Sequence, residues 1–506
     1  MDAPVPLILV VLLAAVALVA PSPRGRAFAM LVALAIAPVI LVFHIADSDQ
    51  FRALVDRPAL AAAAAGAGVV VIAALAALVR RRPAALPILA VAALPFRVPI
   101  AVGGTTANLL VPLYAVVAAG VLAYALPRAF GPAGEEPERR AGPLEWVLAA
   151  YLALYAAQSW YSVDFDHALE NVVFFYVPFA LLFALVSRVE WTPGLTKACL
   201  GVVIALALVF AGVGFVEYAT RHLFLNPKVI ASNQLQDYFR VNSLFFDPNI
   251  YGRFLALVML LVVAWVLWAR RARDVAAGVL VLAVLWGGLV LTLSQSSFAA
   301  LLVGLAVLGG KRWSARRAVA LAGVAVAVGV AVVLLAPGAL RLDLGSSRSA
   351  DAATSGRYEL VAGGVRLFAE RPLQGWGSGA FARQYRRAER VSAERATSAS
   401  HTIPITVAAE QGVPGLLVYL ALLGCALWRL FRRASRTPAR AGVAAAFAAL
   451  LGHTILYAAF LEDPMAWTLL AVGTALAVAK ARTAEVEAPS EPERAAPDPA
   501  PAPTPA

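Results

Sequence analysis

Apolar runs close to 20 residues long recur from one end of this chain to the other. A hydrocarbon core about 30 Å thick is crossed by roughly 20 apolar residues in α-helix. Runs of that kind lie near 5–20, 27–46, 59–79, 84–96, 109–126, 144–160, 170–187, 197–217, 249–269, 275–293, 296–309, 316–336, 402–429, 441–460 and 464–480, with 84–96 and 296–309 the shortest. The fold expected is therefore an all-α polytopic membrane protein with about 12–15 transmembrane helices. Composition agrees. The chain is 61% hydrophobic and 14% charged, with a mean hydropathy of +0.78, and a soluble domain so built has too little polar surface to cover itself.

The net charge is +12. In a soluble protein that would raise nucleic acid as a partner. Here the basic residues cluster in short loops between apolar runs, the usual mark of cytoplasmic anchoring beside anionic lipid, so the partner implied is the membrane and not nucleic acid. Arg80-Arg81-Arg82, Arg270-Arg271-Ala272-Arg273, Lys311-Arg312 with Arg316-Arg317, and the segment 429–440 mark one side. Asp47-Ser48-Asp49, the segment 164–170 and Glu462-Asp463 mark the other, and the two sets alternate. That alternation predicts an outer N-terminus, a cytoplasmic C-terminus and a large outer loop at 337–400. The first twenty residues lack a basic n-region and lead straight into another apolar run, so they read as a first spanning helix and not a cleaved signal. Cys199 and Cys425 sit inside apolar runs and read as small core residues. Heavy Ala, Val, Leu and Arg usage points to a GC-rich bacterial source, hence to a multi-pass protein of the bacterial inner membrane.

The organisation expected is N-terminal transmembrane helices over 1–217, a first outer loop over 218–248 and further helices over 249–336. The large outer loop follows over 337–400, then C-terminal helices over 401–482. The Pro/Ala/Glu-rich stretch 483–506 cannot build a core and should be a disordered cytoplasmic tail.

Polar chemistry concentrates in 337–400 and at its end. A helix opening near Ser355 would put Val361, Gly364 and Phe368 on one side with Arg357, and Glu359, Arg366 and Glu370 on the other. Arg357 would then sit on the apolar face of an amphipathic helix. A guanidinium there snorkels, pairs with a protein carboxylate, or grips a phosphate through its two-pronged donors. Gln374-Gly375-Trp376-Gly377-Ser378-Gly379-Ala380-Phe381 follows Pro372; its glycine spacing fits no nucleotide fingerprint, so a structural turn between helices is the better reading. Arg383, Arg386, Arg387 and Arg390 make a basic, solvated face. His401 stands where the chain re-enters the membrane. It is either an interfacial anchor or a general base, since an imidazole with a pKa near 6.5 is largely neutral at neutral pH. Arg240, and Arg253 about one turn inside a span that opens with Asp247-Pro248-Asn249, are further phosphate candidates. Thr292-Leu293-Ser294-Gln295-Ser296-Ser297 is a charge-free hairpin on the outer side. No second His lies at metal-ligand spacing and no Asp-rich motif is present, which favours chemistry without metal or other cofactor.

In this order the pieces resemble the O-antigen ligase family, membrane glycosyltransferases that include many O-antigen polymerases and protein O-oligosaccharyltransferases. The resemblance rests on Asp247-Pro248-Asn249 opening a span, the Thr-x-Ser hairpin, and Ser355-Gly356-Arg357 at the start of the large loop. Leu367-Phe368, Pro372-Leu373, the glycines at 375, 377 and 379, and Phe381 come next. His401 and Glu410-x-Gly412-x-x-Gly415 complete it. Together these cover roughly 239–420. The resemblance implies a C-class glycosyltransferase-like fold. It also implies transfer of a glycan from an undecaprenyl-pyrophosphate carrier to an acceptor hydroxyl on a glycan, lipid or protein, without metal, at the outer face. In that scheme His401 is the base on the acceptor and Arg357 holds the pyrophosphate. The sequence departs from the family at Gln295, where members usually carry Arg, and at Thr402, where they usually carry Asn. Arg240 or Arg253 substituting for the missing cation, a different donor, and an altered activity are all compatible with that change. A transporter of lipid-linked or anionic substrates would need several ionisable groups deep in its spans. Here these are few, chiefly His453 and Glu217. A non-catalytic binder of lipid-linked glycan is the other alternative.

Overall fold

The computed structural model describes residues 4–46, 56–102, 105–132, 139–225, 239–313, 357–389, 402–457 and 459–486, together with 230 and 316. The chain is built almost wholly of helices, and among the described residues eight are long and apolar enough to cross a membrane. It is an all-α polytopic membrane protein, with one small β-hairpin among the described residues.

In order, the first elements are α1 (Pro4–Val19), α2 (Pro23–Ile45), α3 (Pro58–Arg81), α4 (Ala85–Ala93), β1 (Val98–Val102) and β2 (Thr105–Leu109). Then come α5 (Val111–Phe130), α6 (Pro143–Ser159), α7 (Phe165–Asn171), α8 (Val177–Val186) and α9 (Pro193–Thr220). The second half holds α10 (Pro248–Trp268), α11 (Ala272–Thr292), α12 (Gln295–Arg312), α13 (Arg357–Glu370), α14 (Phe381–Glu389), α15 (Ile403–Phe431), α16 (Pro438–Leu456) and α17 (Pro464–Val486). Helix starts follow from local chemistry. Ser22, Thr192, Asp247, Ser294 and Thr437 each accept a backbone N–H of the turn they open, four of the five with Pro next, whose fixed φ suits the first helical position.

The axis of the bundle is α7 and α8, joined by a π-helical turn at Val172–Tyr176. Some 83% of this apolar segment is buried inside the protein, against 11% for α3. A helix that is apolar all round lies either in a core or against lipid, and these two are one of each. Helices α1, α2, α5 and α6 form one group around the axis, while α10, α11, α12 and α16 form another with α9; α17 packs on α8 and α16, and α15 packs on α6, joining the two.

Three details differ from the sequence expectation. The run 84–96 is not a span. It makes the short helix α4 and then the antiparallel hairpin β1–β2, with Val98 opposite Leu109 and Val102 opposite Thr105. Nine residues of α4 rise only about 14 Å, half a hydrocarbon core. The buried stripe of α13 runs through Leu360, Gly363, Gly364 and Leu367, one residue round from the face expected on Val361, Gly364 and Phe368. Finally, α17 continues to Val486, so the first residues of the expected tail are helical. Residues 317–356, the stretch 390–401 and the rest of the tail lie outside the described residues.

Candidate active site

A polar cluster sits at one end of the bundle, made by the start of α10, the α11–α12 turn, the end of α16 and the loop before α17. Asp247 opens α10, its Oδ1 accepting from the N–H of Asn249 at 2.6 Å and of Ile250 at 3.4 Å. Asn249 then ties two elements together. Its Oδ1 accepts from Ser294 Oγ at 2.9 Å and from Arg240 Nη2 at 3.2 Å, while Arg240 Nε donates to the Thr292 carbonyl at 2.9 Å. Ser294 also contacts Ser297 at 2.8 Å and Ser296 at 3.2 Å, and Ser296 Oγ lies 3.1 Å from His453 Nε2. This serine turn can approach α10 because position 252 is glycine; a Cβ there would stand 2.7 Å from Ser297 Oγ.

One turn into α10, Arg253 is buried and pairs with Asp463 at 2.8 Å, both side chains 1% exposed. Asp463 Oδ1 accepts from Met465 N at 3.0 Å, so the same carboxylate starts α17. Arg97, just ahead of β1, belongs to this cluster. Burial pulls its guanidinium below the usual value, with the Asp463 charge opposing and that of Arg253 adding. Tyr457 completes it. Burial first, and hydrogen-bonded Asp247 second, push its phenol well above the usual range, so it stays a neutral donor. Three guanidiniums and two carboxylates, those of Asp247 and Asp463, therefore line the end of an otherwise apolar bundle, which leaves a net positive charge for an anionic group.

A second construction carries the large loop onto the bundle. The glycine-rich turn is structural. Gly375, Gly377 and Gly379 all have positive φ (67°, 96° and 75°), and so has Gly412, which breaks α15 from within (65°). At the break, Trp376 N and Gly377 N donate to the carbonyls of Ala409 and Glu410, at 3.1 and 2.8 Å, and Val413 N donates to Pro372 O at 2.7 Å. Gln158 Nε2 takes the Gln411 carbonyl at 3.0 Å. The backbone groups freed by the break are thus met by the loop and by α6. Side chains would not fit here. A Cβ on Gly375 would lie 2.2 Å from Glu410 O, one on Gly377 2.3 Å from Ser162 Cα, and one on Gly412 2.4 Å from Leu373 O. The buried Glu410 carboxylate accepts from Gly379 N and Phe381 N, both at 3.0 Å, and so caps α14. Leu360, Leu367, Phe381, Tyr385 and Ala409 close over Trp376 as a small core, with Gly363 leaving room for the Tyr385 ring. This is why α13 turns its Leu360–Leu367 stripe inward: it packs against α14 and α15.

Of the residues singled out in the sequence, Arg240 and Arg253 meet in the first cluster. Arg357 is the first residue of α13, with its side chain outside what is described, and His401 lies just outside the described residues. Its neighbour Thr402 donates to the Ile455 carbonyl at 3.3 Å, midway between His453 and Tyr457. Gln295 is exposed at the start of α12. Glu217 accepts from the backbone of Phe224, Asn242 and Ser243, and so organises the segment before α10. Sequence reasoning missed Arg97 and gave Asp463 only a topological role. A cation directly after the apolar run 84–96 was the available signal for Arg97.

No curated protein matches the chain. The family model described as O-antigen ligase matches residues 280–420, which take in the serine turn, Arg357, the glycine-rich turn, His401 and Glu410. On that match, the chain carries an O-antigen ligase domain over residues 280–420.

Proposed function

We propose that this protein transfers a glycan from an undecaprenyl-pyrophosphate donor to an acceptor hydroxyl at the outer face of the bacterial inner membrane, without a metal ion. The observation that carries the reading is the ligase domain at 280–420, because it contains both Arg357 and His401. The polar cluster supports it, since guanidiniums gather at the end of the bundle where the chain leading from His401 enters α15 beside Ile455.

In the reaction, His401 takes the proton of the acceptor hydroxyl as that oxygen attacks the anomeric carbon of the donor sugar. The bond from that carbon to the pyrophosphate oxygen breaks, and its electron pair leaves with the carrier. Arg357 stabilises the charge arriving on the pyrophosphate, with Arg240 as a second cation fixed by Thr292 and Asn249. Arg253, paired with Asp463, fixes the start of α10 against the loop before α17. The acceptor is a glycan, lipid or protein hydroxyl.

The test is made in cells lacking the native gene. Variants His401→Ala and Arg357→Ala, present in the membrane at normal level, should each lose surface glycan transfer. Full transfer by both would overturn the assignment.

A further inference from the structure

A crevice of about 1360 Å³ runs along α17 from Met465 to Val478, with α4, α5, α9, α10 and α16 among its other walls. That length is about 20 Å at 1.5 Å of rise per residue, and the volume exceeds the roughly 300–1,000 Å³ of ordinary small-molecule sites. Most of the wall is apolar. Charge gathers at one end, where Arg80, Arg128, Arg139, Arg188, Lys197 and Arg440 line the crevice and Glu190 is the one acidic residue among the described lining.

Arg139 pairs with Glu145, whereas Arg188 is held by carbonyl oxygens. Arg188 donates to the carbonyls of Ala184 and Leu18, at 2.7 and 3.2 Å, and its Nε has no hydrogen-bond partner among the described residues. Burial, then the neighbouring Arg26 and Arg139, pull its guanidinium down to about 9. Arg80 and Lys197 are exposed. Next to Arg188, the buried hydroxyl of Ser187, 3% exposed, also lacks a hydrogen-bond partner among the described residues. Buried polar groups are normally satisfied, so Ser187 Oγ and Arg188 Nε point to a polar guest. A free anion would leave the apolar length empty, and a neutral lipid would leave the cations unmatched.

We propose that the crevice holds an anionic phospholipid, its phosphodiester among Arg80, Arg188 and Lys197 and an acyl chain laid along α17. The cationic end, where the phosphodiester sits, is remote from the polar cluster, while the apolar length reaches Met465 beside Asp463; the proposal does not depend on the glycan-transfer reading.

The full-length protein, stripped of lipid in detergent, is titrated with phosphatidylglycerol, phosphatidylcholine and inorganic phosphate, with binding read by native mass spectrometry. Phosphatidylglycerol should bind at least tenfold more tightly than phosphatidylcholine, and phosphate alone should neither bind nor compete. Arg80→Gln/Lys197→Gln, both at exposed positions, should weaken phosphatidylglycerol about 25-fold, from about 1 kcal/mol per basic residue near the membrane surface. Val203→Trp, which narrows the apolar wall, should weaken both lipids. Equal binding of the two lipids, unchanged affinity in the double variant, displacement by phosphate, or a second copy of the chain filling the crevice would each overturn the proposal.

Discussion

Asp463→Asn is the substitution with the clearest energetic consequence. The amide keeps the size of the carboxylate and an oxygen for the Met465 N–H, so the start of α17 is preserved. What disappears is the charge facing Arg253 at 2.8 Å in a pair whose two side chains are each 1% exposed. Nε and Nη1 of Arg253 have no other hydrogen-bond partner among the described residues, and Arg97 feels the same carboxylate. Removing one member of a buried pair leaves an uncompensated charge and costs about 3–5 kcal/mol. Unfolding in mixed detergent–SDS micelles, followed by tryptophan fluorescence, measures the difference. Arg253→Leu combined with Asp463→Asn should recover part of the loss, because the stranded charge has gone. A loss under about 1 kcal/mol for Asp463→Asn, or a double variant worse than the sum of the singles, would refute the reasoning.

Three further outcomes follow from the same geometry. Gly377→Ala should sharply reduce folded protein in size-exclusion profiles, since φ is 96° and the new Cβ would meet the Ser162 backbone at 2.3 Å; Gly424→Ala, with nothing within 4 Å, should be neutral or stabilise by about 0.5–1 kcal/mol. Glu410→Gln should cost about 1.5–3 kcal/mol by weakening the two bonds to Gly379 N and Phe381 N, and hydrogen exchange should quicken at those amides. Arg240→Lys keeps the charge but loses the two-point hold on Thr292 and Asn249, so it should raise KM for the lipid-linked donor more than it lowers kcat.

The spans were legible because each is a long apolar run, and hydropathy alone identifies them. The hairpin was not. Val98–Leu109 falls between two apolar runs, and only Gly103-Gly104 hints that the backbone turns back there. The α13 face was misjudged by one residue because periodicity cannot see the partner, and the ring of Tyr385 needs the hollow at Gly363. The glycine-rich turn read correctly as structural, but not its fit into the break at Gly412, since contacts so distant in sequence leave no local signal. Arg240 and Arg253 were visible as cations beside a span. The pairing of Arg253 with Asp463 was not, because 210 residues of chain separate them.

Glycan transfer is measured with purified protein in liposomes, given a lipid-pyrophosphate-linked oligosaccharide, an acceptor and EDTA, while release of undecaprenyl pyrophosphate is followed. Release should resist EDTA and vanish in His401→Ala while donor binding persists. Release unchanged in His401→Ala, or intact donor bound or moved across the bilayer without any release, would rule out His401-dependent glycan transfer.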